Sequence, residues 1–87
     1  MDIEYDPAKD LANLAKHGVS LALGVIVLEN RIGEVMDNRR DYGEIRINAF
    51  GPVETRLFVC TYTMRGETRR LISVRKASRQ EQNTWLR

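Results

Sequence analysis

Cysteine, histidine and proline are nearly absent from this chain, which holds one, one and two of them in 87 residues. A lone Cys60 rules out an internal disulfide, and its place inside the apolar run LFVC predicts a buried, unreactive thiol. A lone His17 leaves no paired-histidine metal motif, and the carboxylates are scattered without ligand spacing. Neither a serine–histidine–acid arrangement nor a glycine-rich phosphate loop ending in lysine can be built from these residues. The longest apolar stretch, residues 19–28, is interrupted by Ser20 and Gly24. It falls short of the roughly 20 residues that a membrane span needs. The opening MDIEYDP is acidic and has no signal-peptide core. The expectation is a cytoplasmic protein without membrane contact, bound metal or cofactor.

Arginine is what the chain has in quantity, and it is unevenly placed. Residues 1–37 carry three Lys and Arg against seven Asp and Glu, a net charge of −4. Residues 38–87 carry eleven basic residues, ten of them arginine, against five acids, a net charge of +6. Such asymmetry points to a nucleic-acid or other polyanion surface on the C-terminal half. A solvated sheet face is the plainer alternative. The apolar fraction of 43% and charged fraction of 30% are those of a globular chain. At this size only roughly 60–65% of the unfolded surface is hidden, so the core is modest and a partner adds stability. No linker, repeat or low-complexity segment divides residues 1–87, and a single domain is expected.

Ile3 and Tyr5 suit a short first strand. Asp6-Pro7 marks a helix start, with a carboxylate cap followed by a proline whose missing amide is not needed there. Leu11, Leu14 and Ala15 recur at helical spacing and predict its apolar side. His17-Gly18 closes it, with Lys16 and His17 in the last turn. A second helix is predicted over residues 21–29, capped by Ser20, with Leu21, Val25 and Leu28 on one side. From Gly33 the pattern changes to period two. Val35 centres a short strand, residues 37–43 form a polar turn, and residues 44–50 alternate. Gly51-Pro52 reads as a turn. Residues 55–64 are the most β-prone run, and Arg65-Gly66-Glu67 makes the next hairpin.

Residues 68–81, TRRLISVRKASRQE, read as a strand running straight into a helix. Strict alternation sets Arg69, Leu71, Ser73 and Arg75 on one side, and Arg70, Ile72 and Val74 on the other. Ser78 and Glu81 have the spacing of a capping box. Arg75, Lys76 and Arg79 thus gather at a rigid junction. The expected fold is α+β: two N-terminal helices, a four-stranded antiparallel sheet with a possible extra N-terminal edge strand, and a C-terminal helix. The helices are expected on one face of the sheet.

Four segments together resemble the BrnT-type toxins. They are YDPAKDLANLAKHGVS near the start, DYGEIR at residues 41–46, TRLFVCTYTMRG at 55–66 and RRLISVRKASRQE at 69–81. They stand in the family's order and spacing and cover nearly the whole chain. The chain differs from the usual pattern at Leu21, where an aromatic is common, and in the last helix, where Trp85 takes an aromatic place. The resemblance implies a RelE-like fold and a ribonuclease that arrests translation. It also implies a BrnA-type antitoxin with a ribbon-helix-helix part, so that DNA is contacted only through that partner in a toxin–antitoxin hetero-oligomer.

Metal-independent RNA cleavage asks for residues this chain has. The ribose 2′-OH attacks the adjacent phosphorus, so the protein must take up a proton, neutralise the phosphate oxygens and protonate the leaving oxygen. Arginine matches phosphate oxygens with its planar fork. Arg46 and Arg75 are the candidate phosphate clamps, and they form one patch if their strands pair in register. His17 is the one side chain that titrates near neutrality, and serves as acid or base or merely closes its helix. Glu44 is a candidate base or the ion-pair partner of Arg46. Lys16, Arg69, Lys76 and Arg79 are candidate RNA contacts. Tyr42 offers a ring for base stacking or anchors its turn. Tyr62 reads as core or as a stacking ring, and Trp85 and Leu86 as a partner-docking face or an internal lid. The rival function is a non-catalytic RNA- or partner-binding domain.

Overall fold

In the computed structural model, which describes residues 1–86, eight elements follow one another. They are β1 (Asp2–Glu4), α1 (Pro7–His17), α2 (Leu23–Glu29), β2 (Gly33–Met36), β3 (Ile47–Val53), β4 (Arg56–Arg65), β5 (Thr68–Lys76) and α3 (Arg79–Trp85). The strands form one sheet in the order β1-β5-β4-β3-β2. The four later strands pair antiparallel, as expected. The possible extra N-terminal edge strand is present as β1, and it joins parallel to β5, which makes the five-stranded sheet mixed rather than purely antiparallel.

Local chemistry sets the helix ends. The Asp6 carboxylate accepts from the Ala8 amide at 2.8 Å, and Gly18 takes φ +77°, sending its N–H to the Leu14 carbonyl at 2.9 Å. At α3 both halves of the capping box form: Ser78 N–H donates to Glu81 at 2.8 Å, and Glu81 N–H donates to Ser78 Oγ at 3.1 Å. The second helix starts later than expected, at Leu23. Ser20 does not cap it, because its hydroxyl donates to Asp10 at 2.7 Å and accepts from the Ala22 amide outside the helix.

The turn expected at Gly51-Pro52 is strand. β3 runs through both residues, and the chain reverses at Glu54-Thr55. β2 stops pairing at Phe50, so Pro52 lies on an open edge where its missing amide is tolerated. Gly51 is needed because a side chain there would collide with the Val27 carbonyl of α2. Its role is close approach, not chain reversal. β3 also starts only at Ile47, so Glu44 and Arg46 belong to the preceding loop.

Helices lie on both faces of the sheet. Leu21, Val27 and Leu28 pack with Ala49, Phe58, Cys60, Tyr62, Leu71 and Val74 on one face. Phe50, Leu57, Val59 and Ala77 pack with Trp85 of α3 on the other. Trp85 stacks on Phe50 with ring centroids 4.9 Å apart, which makes it an internal lid. Strict alternation fails in β5. Thr61 pairs with Ser73 but Tyr62 pairs with Leu71, so Ile72 is an extra residue in a β-bulge. The bulge turns both Leu71 and Val74 into the core, and places Arg69 on the face opposite Arg75.

The apolar side predicted for α1 does not face the core: Leu11 is 69% and Leu14 49% exposed. The buried residue is Asn13, at 5%. β1 pairs only with the first residues of β5, so the outer edge at Val74 lacks a strand neighbour. Asn13 supplies one. Its amide donates to the Val74 carbonyl at 2.9 Å and its carbonyl accepts from the Val74 N–H at 3.1 Å. The other amide hydrogen reaches the Val19 carbonyl at 2.9 Å. Replacing Asn13 by alanine leaves these buried groups unpaired and is expected to cost about 2–3 kcal/mol in urea unfolding. The exposed control Leu14→Ala is expected to stay within about 0.5 kcal/mol.

Candidate active site

Asn13 seats α1 along the edge of β5, and this creates a cleft of about 540 Å³. One wall is the helix side carrying Lys9, Ala12, Asn13, Lys16 and His17. Most of these recur at intervals of three or four, the spacing of neighbours on a helix surface. The floor is Thr61 of β4 with Ile72, Ser73 and Arg75 of β5, and the far wall is Arg39, Arg40, Tyr42 and Arg46. Among the described residues, six Lys and Arg line the cleft together with the one histidine, and no carboxylate does.

The far wall is a loop held by a buried carboxylate. The Asp37 side chain is 1% exposed. It accepts from Arg39 Nε at 2.9 Å, Arg39 Nη2 at 3.0 Å and the Tyr42 hydroxyl at 3.2 Å. The Asp37 N–H closes the loop on the Arg46 carbonyl at 2.8 Å. Tyr42 is thus an anchor, and its ring lies 3.9 Å below the Arg46 guanidinium and 5.5 Å from that of Arg40. Arg46 Nε is buried with no hydrogen-bond partner among the described residues. The hydrogen bonds from Arg39 bring the Asp37 carboxyl down to about 2, outweighing its desolvation.

Arg75 is set by Glu81, whose spacing from Ser78 predicts only a helix cap. Its Nη1 and Nη2 donate to the two carboxylate oxygens of Glu81 at 2.7 and 2.9 Å. Facing Arg75 across the cleft, His17 is held below its ordinary pKa by burial, then by the charges of Lys16 and Arg75. Its neutral imidazole is favoured.

Of the residues singled out from sequence, His17, Lys16, Tyr42, Arg46 and Arg75 converge here. Glu44 does not line the cleft; it is exposed and lies 4.0 Å from Arg46 as a loose ion pair. Arg69 lies on the other face, 5.4 Å from the Tyr62 ring. Lys76 and Arg79 are exposed and outside the cleft. Tyr62 is core, 2% exposed, with its hydroxyl donating to Glu34 at 2.8 Å. Cys60 is fully buried, and burial pushes its thiol up to about 12. Lys9, Arg39 and Arg40 join the site unpredicted. Their signals were a lysine seven residues before Lys16, hence on the same helix side, and a basic pair in a polar turn.

The folded-state pKa of Asp37 lies below its unfolded value, so its contribution to stability is complete above about pH 4. That contribution is lost as pH falls through about 2. The stability gap between the wild type and Asp37→Asn is therefore expected to narrow over that interval in acid titrations followed by circular dichroism.

Among curated proteins none matches the chain significantly. Residues 5–81 do match the family described as "Ribonuclease toxin, BrnT, of type II toxin-antitoxin system". That span includes every cleft residue, from Lys9 to Arg75, and all elements but β1 and the end of α3. The chain therefore belongs to the BrnT family of ribonuclease toxins of type II toxin–antitoxin systems.

Proposed function

We propose that the cationic cleft cleaves RNA without a metal ion, and that the resulting loss of RNA arrests translation. The observation that carries this reading is the convergence of His17, Arg46 and Arg75 on one cleft that, among the described residues, is lined by bases and no acids. A phosphodiester bridging these groups has its non-bridging oxygens between two guanidiniums. Preorganised donors of this kind stabilise developing charge by a few kcal/mol each, on the order of 10²-fold or more in rate. The neutral imidazole of His17 takes the 2′-OH proton as O2′ attacks phosphorus. The departing 5′ oxygen takes a proton from solvent or from the adjoining Lys16 ammonium. The products are a 2′,3′-cyclic phosphate and a 5′-OH.

Lys9, Arg39 and Arg40 extend the positive surface along the bound strand. Glu44 tempers Arg46 rather than acting as base, since it stands outside the cleft. Arg69, Lys76 and Arg79 add long-range attraction or serve other contacts. The family's type II membership implies an antitoxin. We take this partner to be a BrnA-type ribbon-helix-helix protein, through which the complex reaches DNA.

Arg75→Ala and Arg46→Ala are each expected to slow cleavage of labelled RNA by roughly 10²-fold or more. EDTA is expected to leave the wild-type rate unchanged, and the products to carry cyclic-phosphate ends. A protein that binds RNA with strong salt dependence yet leaves it intact would instead be a binding domain. As base, His17 must lose its proton, so the rate is expected to fall with acidification below its depressed pKa. That acid limb should vanish in His17→Ala, with a loss of ~10²–10⁴-fold at neutral pH.

A further inference from the structure

Glu81 is drawn on by two partners. Its Oε1 accepts from the Ser78 N–H at 2.8 Å and from Arg75 Nη1 at 2.7 Å, while Oε2 accepts from Arg75 Nη2 at 2.9 Å. The carboxylate is bidentate on the end of the guanidinium, and its own place is set by the first turn of α3. The other end of the same helix is held down by Trp85 against Phe50. Both charged side chains are largely covered, at 32% exposed for Arg75 and 24% for Glu81. The second Nη1 hydrogen goes to the Lys76 carbonyl at 3.3 Å. An arginine has five N–H donors. Among the described residues three are used, and those left are Nε–H and one Nη2–H, the side-on fork. Arg75 thus keeps one bidentate edge for a phosphate, in a fixed orientation.

We propose that Glu81 is a positioning residue for RNA cleavage, which locks the Arg75 guanidinium so that its Nε–Nη2 edge meets the scissile phosphate. This rests on the reading of Arg75 as a phosphate clamp. A free arginine would spread its charge over many rotamers, and the rate gain from a preorganised donor depends on the ordering having been done before reaction. The cost of the arrangement is a partly neutralised charge, so the device favours the geometry of the transition state over ground-state RNA affinity. Removing it should lower kcat more than it raises KM.

The capping box provides a clean test, because glutamine at the same place can still accept from the Ser78 amide. Glu81→Gln keeps the cap but removes the charged fork. It is expected to reduce kcat roughly tenfold or more with little change in KM. The Arg75 Nη–H resonances, expected to be resolved in the wild type by the two bonds to Glu81, should collapse into the exchanging bulk in this variant. Ser78→Ala, which removes half the cap and leaves the Arg75–Glu81 pair, is expected to lower Tm and leave kcat within about twofold. In an Arg75→Ala background Glu81→Gln should cause no further loss. The proposal is overturned if Glu81→Gln cleaves at the wild-type rate although the Arg75 resonances have collapsed, or if Ser78→Ala loses as much kcat as Glu81→Gln. If Arg75→Ala itself cleaves normally, the clamp reading falls first and the role of Glu81 with it.

Discussion

The outer edge of β5 has a strand neighbour over its first residues only, and the carboxamide of Asn13 completes it at Val74. An unpaired edge at that depth would leave a buried donor and acceptor without partners. A strand could have filled the gap, but a helix brings something a strand cannot. It brings a row of side chains every third or fourth residue, held at fixed height above the sheet's rim. With Asn13 buried, Lys9, Lys16 and His17 come to stand over Ser73 and Arg75. The cleft exists because a polar residue, not a leucine, is the point of attachment. Leu11 and Leu14 point outward as a result.

Gathering six Lys and Arg into one small cleft is unfavourable by mutual repulsion, and the fold answers it from behind. Asp37 and Glu81 sit outside the lining, each bidentate on an arginine, and each carboxyl is brought down to about 2. Both carboxylates also belong to the backbone architecture, that of Asp37 accepting from the Arg39 N–H and that of Glu81 capping α3. Charge placement and chain placement are thus the same contacts. The Tyr42 ring works in the same way on Arg46, giving a cation a face to rest on without cancelling its charge.

Much of this was legible from short stretches of chain. The Asp6-Pro7 start, the Gly18 stop, the Ser78–Glu81 box, the β-prone run in β4 and the hairpin at Gly66 all formed as read. Each is decided within about four residues, by a cap, a missing amide or a left-handed turn. The errors share a cause. Leu11 and Leu14 looked like core because the periodicity of an apolar side does not reveal which way the helix is turned. Gly51-Pro52 looked like a turn because nothing nearby told of the α2 carbonyl overhead or the open edge beside it. Arg69 was grouped with Arg75 because a bulge at Ile72 breaks alternation only when the partner strand demands it.

By itself, the sequence determined the order and ends of most elements, the basic character of the C-terminal half and the residue types able to handle a phosphodiester. Those follow from local sterics and from composition. Only the tertiary structure decided which bases meet, because that turns on contacts such as Asn13 with Val74, 61 residues apart. It also decided that α2 and α3 take opposite faces, and that Glu81 serves Arg75 as well as its own helix. Register, a one-residue bulge and the rotation of a helix are cooperative outcomes of packing, and no window of neighbouring residues contains them.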